Sequence, residues 1–434
     1  MYYPSSDRHA VVRMVLRVLL EMGYQCSVAV MQAATQGVPQ SRTRTIFLAS
    51  APGHDLPQHP RPLHTFKRND HRYSVHFSVG RSDVGTASHP DSKIKVEVTA
   101  TPKWRTPSAP LRFVKVRDTL TDLPPIQNGV KEATAPKTYG QAPSSPYQFK
   151  QRMMVPQPGA HLVVDGPPEG EEPARRIGAD SRLSHHVCRE VHDLEWERAQ
   201  RIPKNHPGAD WRDLPNISVT IKNARGVTKV VPPMEYKGVD QDAIAKFSTL
   251  YPEIAKLDRA VCTCMSIADQ AARKKASGSR ECRKCLKEVI IPWSLPHTST
   301  RHNQWQGLYG RLIAGGSSAT IVTHPALIGK QGTWLHPDQD RIISVREAAR
   351  LQGFPDHFAF AGGSPMMYKQ IGNAVPPPLG KAIAIVVAGA ERRTSERRAV
   401  EMRAEAEAEA GEDEAMAGAG VGAGASGRGK KGGK

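Results

Sequence analysis

Between residues 10 and 50 the hydrophobic period changes from that of a helix to that of a strand, and no other stretch restricts the fold of this chain as much. In AVVRMVLRVLLEM (10–22), Val11, Val15, Val18 and Met22 share one helical stripe with Leu19 beside it, and Gly23 supplies a stop. Tyr24–Met31 then reads as a strand, Gly37 and Pro39 mark a turn, and Arg44–Ala49 (RTIFLA) reads as a second strand. Helix, strand, turn, strand is a fragment of an open α/β sheet. The helix follows Met1 almost directly, so the first strands and the glycine-rich turn of a nucleotide-binding type of sheet are expected upstream of it.

The remainder divides by composition. Residues 51–175 are rich in Pro, Ser, His and Lys, with Val114–Leu123 (VKVRDTLTDL) as the best-ordered island. A helix is predicted over 183–201, then the loop HPGADWRDLPN (206–216), β alternation over Ile217–Val231, and a mostly β stretch from Trp293 to Thr333. Two closing helices are predicted. One spans Ser344–Gln352, where Ser344 stands three residues before Glu347 in the spacing of a capping box. The other spans Pro378–Ala390, with Pro in its first turn. From Glu391 the chain turns charged, then Ala/Gly-rich, ending in GRGKKGGK; this composition is expected to stay unfolded.

A formal net charge of +18 points to polyanionic partners, because Lys and Arg neutralise phosphates and release counterions. No apolar run approaches the roughly 20 residues that span a bilayer. Val11–Met22 is broken by Arg13 and Arg17 and lacks a small-residue cleavage site, so it does not read as a signal peptide. Cys262, Cys264, Cys282 and Cys285 crowd together while Cys26 and Cys188 stand apart, a pattern that favours metal binding over disulfides and a nuclear setting. His185, His186, Cys188 and His192 read as surface and packing positions.

Three ordered motifs carry chemistry. The first is Gln36-Gly37-Val38-Pro39-Gln40-Ser41-Arg42-Thr43-Arg44, where alternation at a strand entrance puts Arg42 and Arg44 on one face. Two guanidiniums so placed suit a base edge or a phosphate, although an ordinary turn with two solvated arginines has the same composition. The second is SVREAARLQGFPD (344–356), and the third is YKQIGNAVPPPL (368–379). Together they closely resemble, in order, the last three signature blocks of the DNA (cytosine-5) methyltransferases. DWRDLPN (210–216), IPWSLPHT (291–298), RHNQWQGLYGRL (301–312) and GKQG (329–332) place the resemblance in the maintenance branch.

The resemblance implies the C-terminal part of a Rossmann-like, S-adenosylmethionine-dependent sheet at 1–50, and a mostly β target-recognition domain with a zinc site at 51–340. It further implies C-terminal helices returning to the catalytic domain at 341–390, before the disordered tail at 391–434. Arg44 would hydrogen-bond the O2 of a cytosine turned out of the duplex, with Gln40 and Arg42 holding that edge of the pocket. Asn373 and Val375 match positions that touch S-adenosylmethionine. Leu295, Trp305, Leu308 and Ile328 match the apolar pocket that senses the parental methyl group, and Lys330 and Gln331 match readers of the CpG guanine; Trp305 and Leu308 read equally well as ordinary core. Cys262, Cys264 and His297 match a structural zinc site whose third cysteine is Cys282 or Cys285.

The family's nucleophile is a cysteine in a Pro-Cys dipeptide, and a glutamate from Glu-Asn-Val sits beside N3 of the base; neither string occurs in these 434 residues. Two readings follow: part of an enzyme that methylates C5 of cytosine in hemimethylated CpG DNA, inactive without an upstream catalytic half, or a catalytically inactive, zinc-stabilised DNA-binding module. No membrane partner is expected.

Overall fold

The computed structural model describes residues 10–66, 74–79, 96–100, 109–153, 183–204, 206–222, 226, 228–232, 289–292, 295, 305–328 and 332–421. Helix α1 spans Ala10–Glu21, and strands β1 (Gln25–Gln32) and β2 (Thr43–Ser50) pair antiparallel from Gln25 opposite Ser50 to Gln32 opposite Thr43. The sheet does not stop at residue 50. β3 (Ser74–Val79) pairs with the other side of β1, and β4 (Val96–Ala100) with β3, giving the order β2-β1-β3-β4 with every pairing antiparallel.

The later elements are the short helix α2 (Arg117–Leu120), α3 (Pro146–Met153), α4 (Asp193–Arg201), the hairpin β5 (Val219–Lys222) and β6 (Thr228–Val231), and helices α5 (Val345–Gln352), α6 (Ser364–Asn373) and α7 (Pro377–Val421). Ala29, Met31, Ala33 and Val38 pack against Leu379 and Ile383 of α7, which closes one face of the sheet. A larger core runs from Val116 through Trp211, Tyr309 and Trp334 to the whole of α5 and Tyr368.

α5 is the best-specified element. The Ser344 hydroxyl accepts from Glu347 N at 3.1 Å while the Glu347 carboxylate accepts from Ser344 N at 2.6 Å, the reciprocal cap that the spacing predicts. Gly353 ends it in the left-handed region at φ +94°, where a Cβ would meet Pro378 Cδ at 2.6 Å and Val38 Cγ1 at 2.8 Å. Only glycine lets the end of α5, the first turn of α7 and the loop after β1 meet there.

Several expectations are corrected. Over 183–201 only Asp193–Arg201 is helical; 183–192 is irregular, with His185 at φ +58°, and the carbonyls of Val187 and His185 accept from Val345 N and Arg346 N, serving first-turn donors of α5. Among the described residues of 293–333 no strand forms; isolated bridges and turns replace it, with Trp305, Gly307 and Tyr309 at positive φ. Among the described residues of 51–340 the strands are β3, β4 and the β5–β6 hairpin. α6 was hidden behind Gly362-Gly363-Ser364-Pro365, although Pro at a helix start is favourable.

The tail is not unfolded up to Val421. Alanine and the i,i+4 pairs Arg392–Glu396 and Arg397–Glu401 favour helix, and Thr394 Oγ1 accepts from Asp55 N at 2.9 Å while Arg397 reaches Asp55 at 3.0 Å. Within Ser364–Gly411 an 18-residue window reaches a mean hydropathy of 1.3, enough to cross a membrane by length and composition alone. Its Leu379 and Ile383 are spent on the sheet.

Candidate functional site

The loop between β1 and β2 is tied at its neck before it reaches anything else. Arg42 N donates to Gln32 Oε1 at 2.7 Å, Ala33 N to Arg42 O at 2.8 Å, and Thr35 Oγ1 to Gln32 O at 2.7 Å. Gly37 takes φ +86°, and a Cβ there would lie 2.8 Å from His64 Nε2. The stretch Ser318–Ile321 then docks on the loop: Ser318 N donates to Pro39 O at 2.8 Å, Ser41 N to Ser318 O at 2.9 Å, and Thr320 Oγ1 to Ser41 O at 2.6 Å.

Gln40 and Arg42 are both sealed inside this junction. Gln40 Oε1 accepts from Ile321 N at 2.9 Å, and its Nε2 donates to Gln352 Oε1 and, at 3.3 Å, to Leu351 O. Arg42, 3% exposed, donates from Nη1 to Ile321 O and from Nη2 to Gly372 O, each at 3.1 Å. Among the described residues no carboxylate pairs with it, and its Nε is buried without a partner. Burial, followed by repulsion from Arg44, brings its pKa down to about 10. Arg44 is half-buried and donates to its neighbour Thr43 O at 2.6 Å.

The back of the site is equally constrained. A Cβ on Gly372 would sit 2.5 Å from Val322 C and Thr323 N, so this contact requires glycine. Gln352 Nε2 donates to Ile371 O at 3.0 Å and Ala374 O at 2.7 Å, fixing the backbone on both sides of Asn373. Asn373 is exposed, and Val375, 50% exposed, follows it. The structure therefore brings the arginine turn and the Asn373–Val375 segment to one place, joined through Arg42 and Gly372.

Other positions fall differently. Leu295 and Leu308 lie in the main core, with half-buried Trp305 packed against it and its carbonyl accepting from Trp211 Nε1 at 3.2 Å. Ile328 is 48% exposed and outside that cluster. Lys330, Gln331, Cys262, Cys264, Cys282, Cys285 and His297 lie outside the described residues; among the described residues no group of His, Cys, Asp or Glu could hold a metal. His186 is a packing residue: its Nε2 donates to Pro124 O at 2.8 Å, so its Nδ1 accepts from the Ser344 hydroxyl, also at 2.8 Å.

Sequence reasoning missed the side chain of Gln352 and the Ser318–Ile321 strip. The strip's small residues were a weak signal, since its contacts combine backbone groups with the short hydroxyls of Ser318 and Thr320, which any loop can carry.

An exposed amide (Asn373) and an exposed apolar side chain (Val375) on an immobilised backbone fit one wall of a pocket for a polar, partly apolar cofactor.

The profile of the C-5 cytosine-specific DNA methylases matches residues 4–156 and 238–388. The chain is 36% identical over 405 residues to DNA (cytosine-5)-methyltransferase PliMCI of Paracentrotus lividus, covering 92% of this chain and 21% of that protein. It is 39% identical over 385 residues to DNA (cytosine-5)-methyltransferase 1 of Mus musculus, covering 89% and 20%. The Gallus gallus protein of the same name is 36% identical over 403 residues, covering 92% and 22%. The chain thus spans about a fifth of the length of the curated relatives it matches.

Proposed function

Because this chain belongs to the C-5 cytosine-specific DNA methylase family, whose cofactor is S-adenosylmethionine, we propose that it forms the base-holding and DNA-reading part of a maintenance DNA (cytosine-5) methyltransferase. Its substrate is hemimethylated CpG DNA and its compartment the nucleus. One observation carries this reading: the Arg42 guanidinium spans Ile321 O and Gly372 O, so the arginine turn and the cofactor-facing segment close around a single place.

Each residue has a defined task. Arg44, freed from the junction that holds Gln40 and Arg42, donates to the O2 of the extruded cytosine. Arg42 adds positive potential without reaching out. Asn373 and Val375 would hold S-adenosylmethionine, which supplies the methyl group when bound. Trp305 and Ile328 offer the methyl-sensing surface, with Leu295 and Leu308 buried in the core, Lys330 and Gln331 read the guanine, and Cys262, Cys264, His297 and one or both of Cys282 and Cys285 hold zinc. No Pro-Cys or Glu-Asn-Val occurs in these 434 residues, so activation of the cytosine ring is not assigned to them, and on their own they read DNA without modifying it.

The test uses the full chain with three duplexes: hemimethylated CpG, unmethylated CpG and one lacking CpG. Tighter binding to the first, unstacking of a fluorescent base analogue at the target, and no transfer from labelled S-adenosylmethionine are expected. Equal affinity for all three without unstacking overturns the reading; measurable transfer overturns the assignment of inactivity. Elemental analysis is expected to find bound zinc, and its absence removes the metal site.

A further inference from the structure

Gln352 is fully buried at the C-terminal end of α5, and all of its amide is engaged. Its Nε2 faces two carbonyls, Ile371 O at 3.0 Å and Ala374 O at 2.7 Å, which only a donor satisfies. Its Oε1 therefore points to Gln40 and accepts from Gln40 Nε2. Gln40 Oε1 in turn accepts from Ile321 N at 2.9 Å. Backbone groups at both ends fix the sense of every bond, so the two amides form a relay with one orientation. Its ends are the arginine turn and the residues flanking Asn373.

Taking the site as read above, we propose that Gln352 is a positioning residue: its amide holds the Arg42–Arg44 turn in register with the Asn373–Val375 segment, and this register is what lets an extruded base be held. α5 supplies the fixed point, since its cap and its buried ion pairs anchor it independently. Gln352 touches neither base nor cofactor; it acts through Gln40 and through the carbonyls on either side of Asn373.

The experiment compares the full chain with Gln352→Met, which conserves volume and removes all three bonds, and Gln352→Glu, which keeps the acceptor for Gln40 and loses both donors. Duplex affinity is read by anisotropy, base extrusion by 2-aminopurine fluorescence at the target position of a hemimethylated CpG duplex, and folding by thermal melting. Affinity, set mainly by phosphate contacts, is expected to stay within about threefold of wild type. Extrusion is expected to fall about tenfold in both variants, a fall on the scale of one net hydrogen bond, since only part of the loss of three bonds in Gln352→Met and two in Gln352→Glu is felt at the base. Wild-type extrusion in either folded variant overturns the proposal, as does a parallel fall of affinity, extrusion and melting temperature, which a purely structural role would give. Should Gln352→Met fail to fold, the same split is read in Gln352→Glu. A wild-type chain that unstacks no base sinks the site assignment as well, whereas normal extrusion in the variants sinks Gln352 alone.

Discussion

Arg350 on α5 is enclosed by two carboxylates, whereas Arg42 at the mouth of β2 is enclosed by two carbonyls. Arg350 donates from Nε and Nη2 to Asp356 at 2.9 and 2.6 Å and from Nη1 to Asp122 at 2.5 Å. Burial alone would lower its pKa, yet Asp356 and Asp122 raise it well above the usual value. For Arg42 burial acts without that compensation. In the same core Arg341 forks onto both oxygens of Glu347, each bond 2.7 Å. The charges of Arg350 and Arg341 are neutralised in place, while Arg42, in the junction beneath the candidate site, is met by carbonyls and lends its positive potential to the site from behind.

The difference is testable first through stability. Arg350→Met leaves Asp122 and Asp356 buried, with Arg152, Tyr139 and, at 4.0 Å, Arg346 remaining as partners. A buried pair broken on one side costs about 3–5 kcal/mol, so urea unfolding should lose that amount. A loss below about 1 kcal/mol would show that these carboxylates are not committed to Arg350, and the contrast with Arg42 would fail.

The second effect is pH dependence in the same core. His336 Nδ1 accepts from Asp338 N at 3.0 Å and Gln339 N at 3.2 Å, so its proton sits on Nε2, towards Glu347. Burial first, offset by Glu347, takes its pKa down to about 4. A base with a lowered folded pKa binds fewer protons folded than unfolded. Its contribution is complete above about pH 6.5 and lost as pH falls towards 4, on the order of 3 kcal/mol in all. For Glu347, burial would raise the pKa, but Arg341 holds it well below the carboxylate range, so its share is present above the unfolded value of 4.5 and is lost in stronger acid. His336→Gln should flatten the urea midpoint between about pH 6.5 and 4; an unchanged slope would remove His336 as its source.

What the sequence disclosed follows the reach of each interaction. α1, β1, β2 and the Ser344–Glu347 cap were legible because their determinants are within a few residues, and β5–β6 showed as alternation. The arginine turn and Asn373 were legible as motifs, but that Arg42 would serve as the clasp and Arg44 stand free was not. Both arginines occupy equivalent alternate positions, and only the carbonyls of Ile321 and Gly372, brought from far along the chain, separate them. Gln352 was hidden for the same reason. The irregular 183–192 segment was misread because the carbonyls of His185 and Val187 are drawn to α5, and the helical tail because its alanines and i,i+4 pairs, anchored by Asp55 against Thr394, outweigh its low complexity.

Arg42→Met tests the clasp directly. It deletes an uncompensated buried charge while leaving two carbonyls unsatisfied, opposing terms that should net about 1–2 kcal/mol of destabilisation. Less stability is lost than in Arg350→Met, yet base extrusion should disappear. If Arg42→Met costs as much as Arg350→Met, the two arginines are the same kind of structural charge and the comparison collapses.

Arg44→Ala should have the smallest effect on folding and one of the largest on function. The half-buried guanidinium has only its neighbour's carbonyl as a described partner, at 2.6 Å, and it presses unfavourably on Arg42. Removing it deletes a weak bond and relieves a repulsion, so the urea midpoint should shift by less than the equivalent of about 0.5 kcal/mol. The relief should also let the Arg42 pKa rise. Overall duplex affinity should weaken only slightly, since one cation contributes a small part of the salt-dependent term. Fluorescence from an extruded base should nevertheless be lost. A variant that unfolds would place Arg44 with the structural arginines, and one that still holds the base would leave the pocket without its proposed donor.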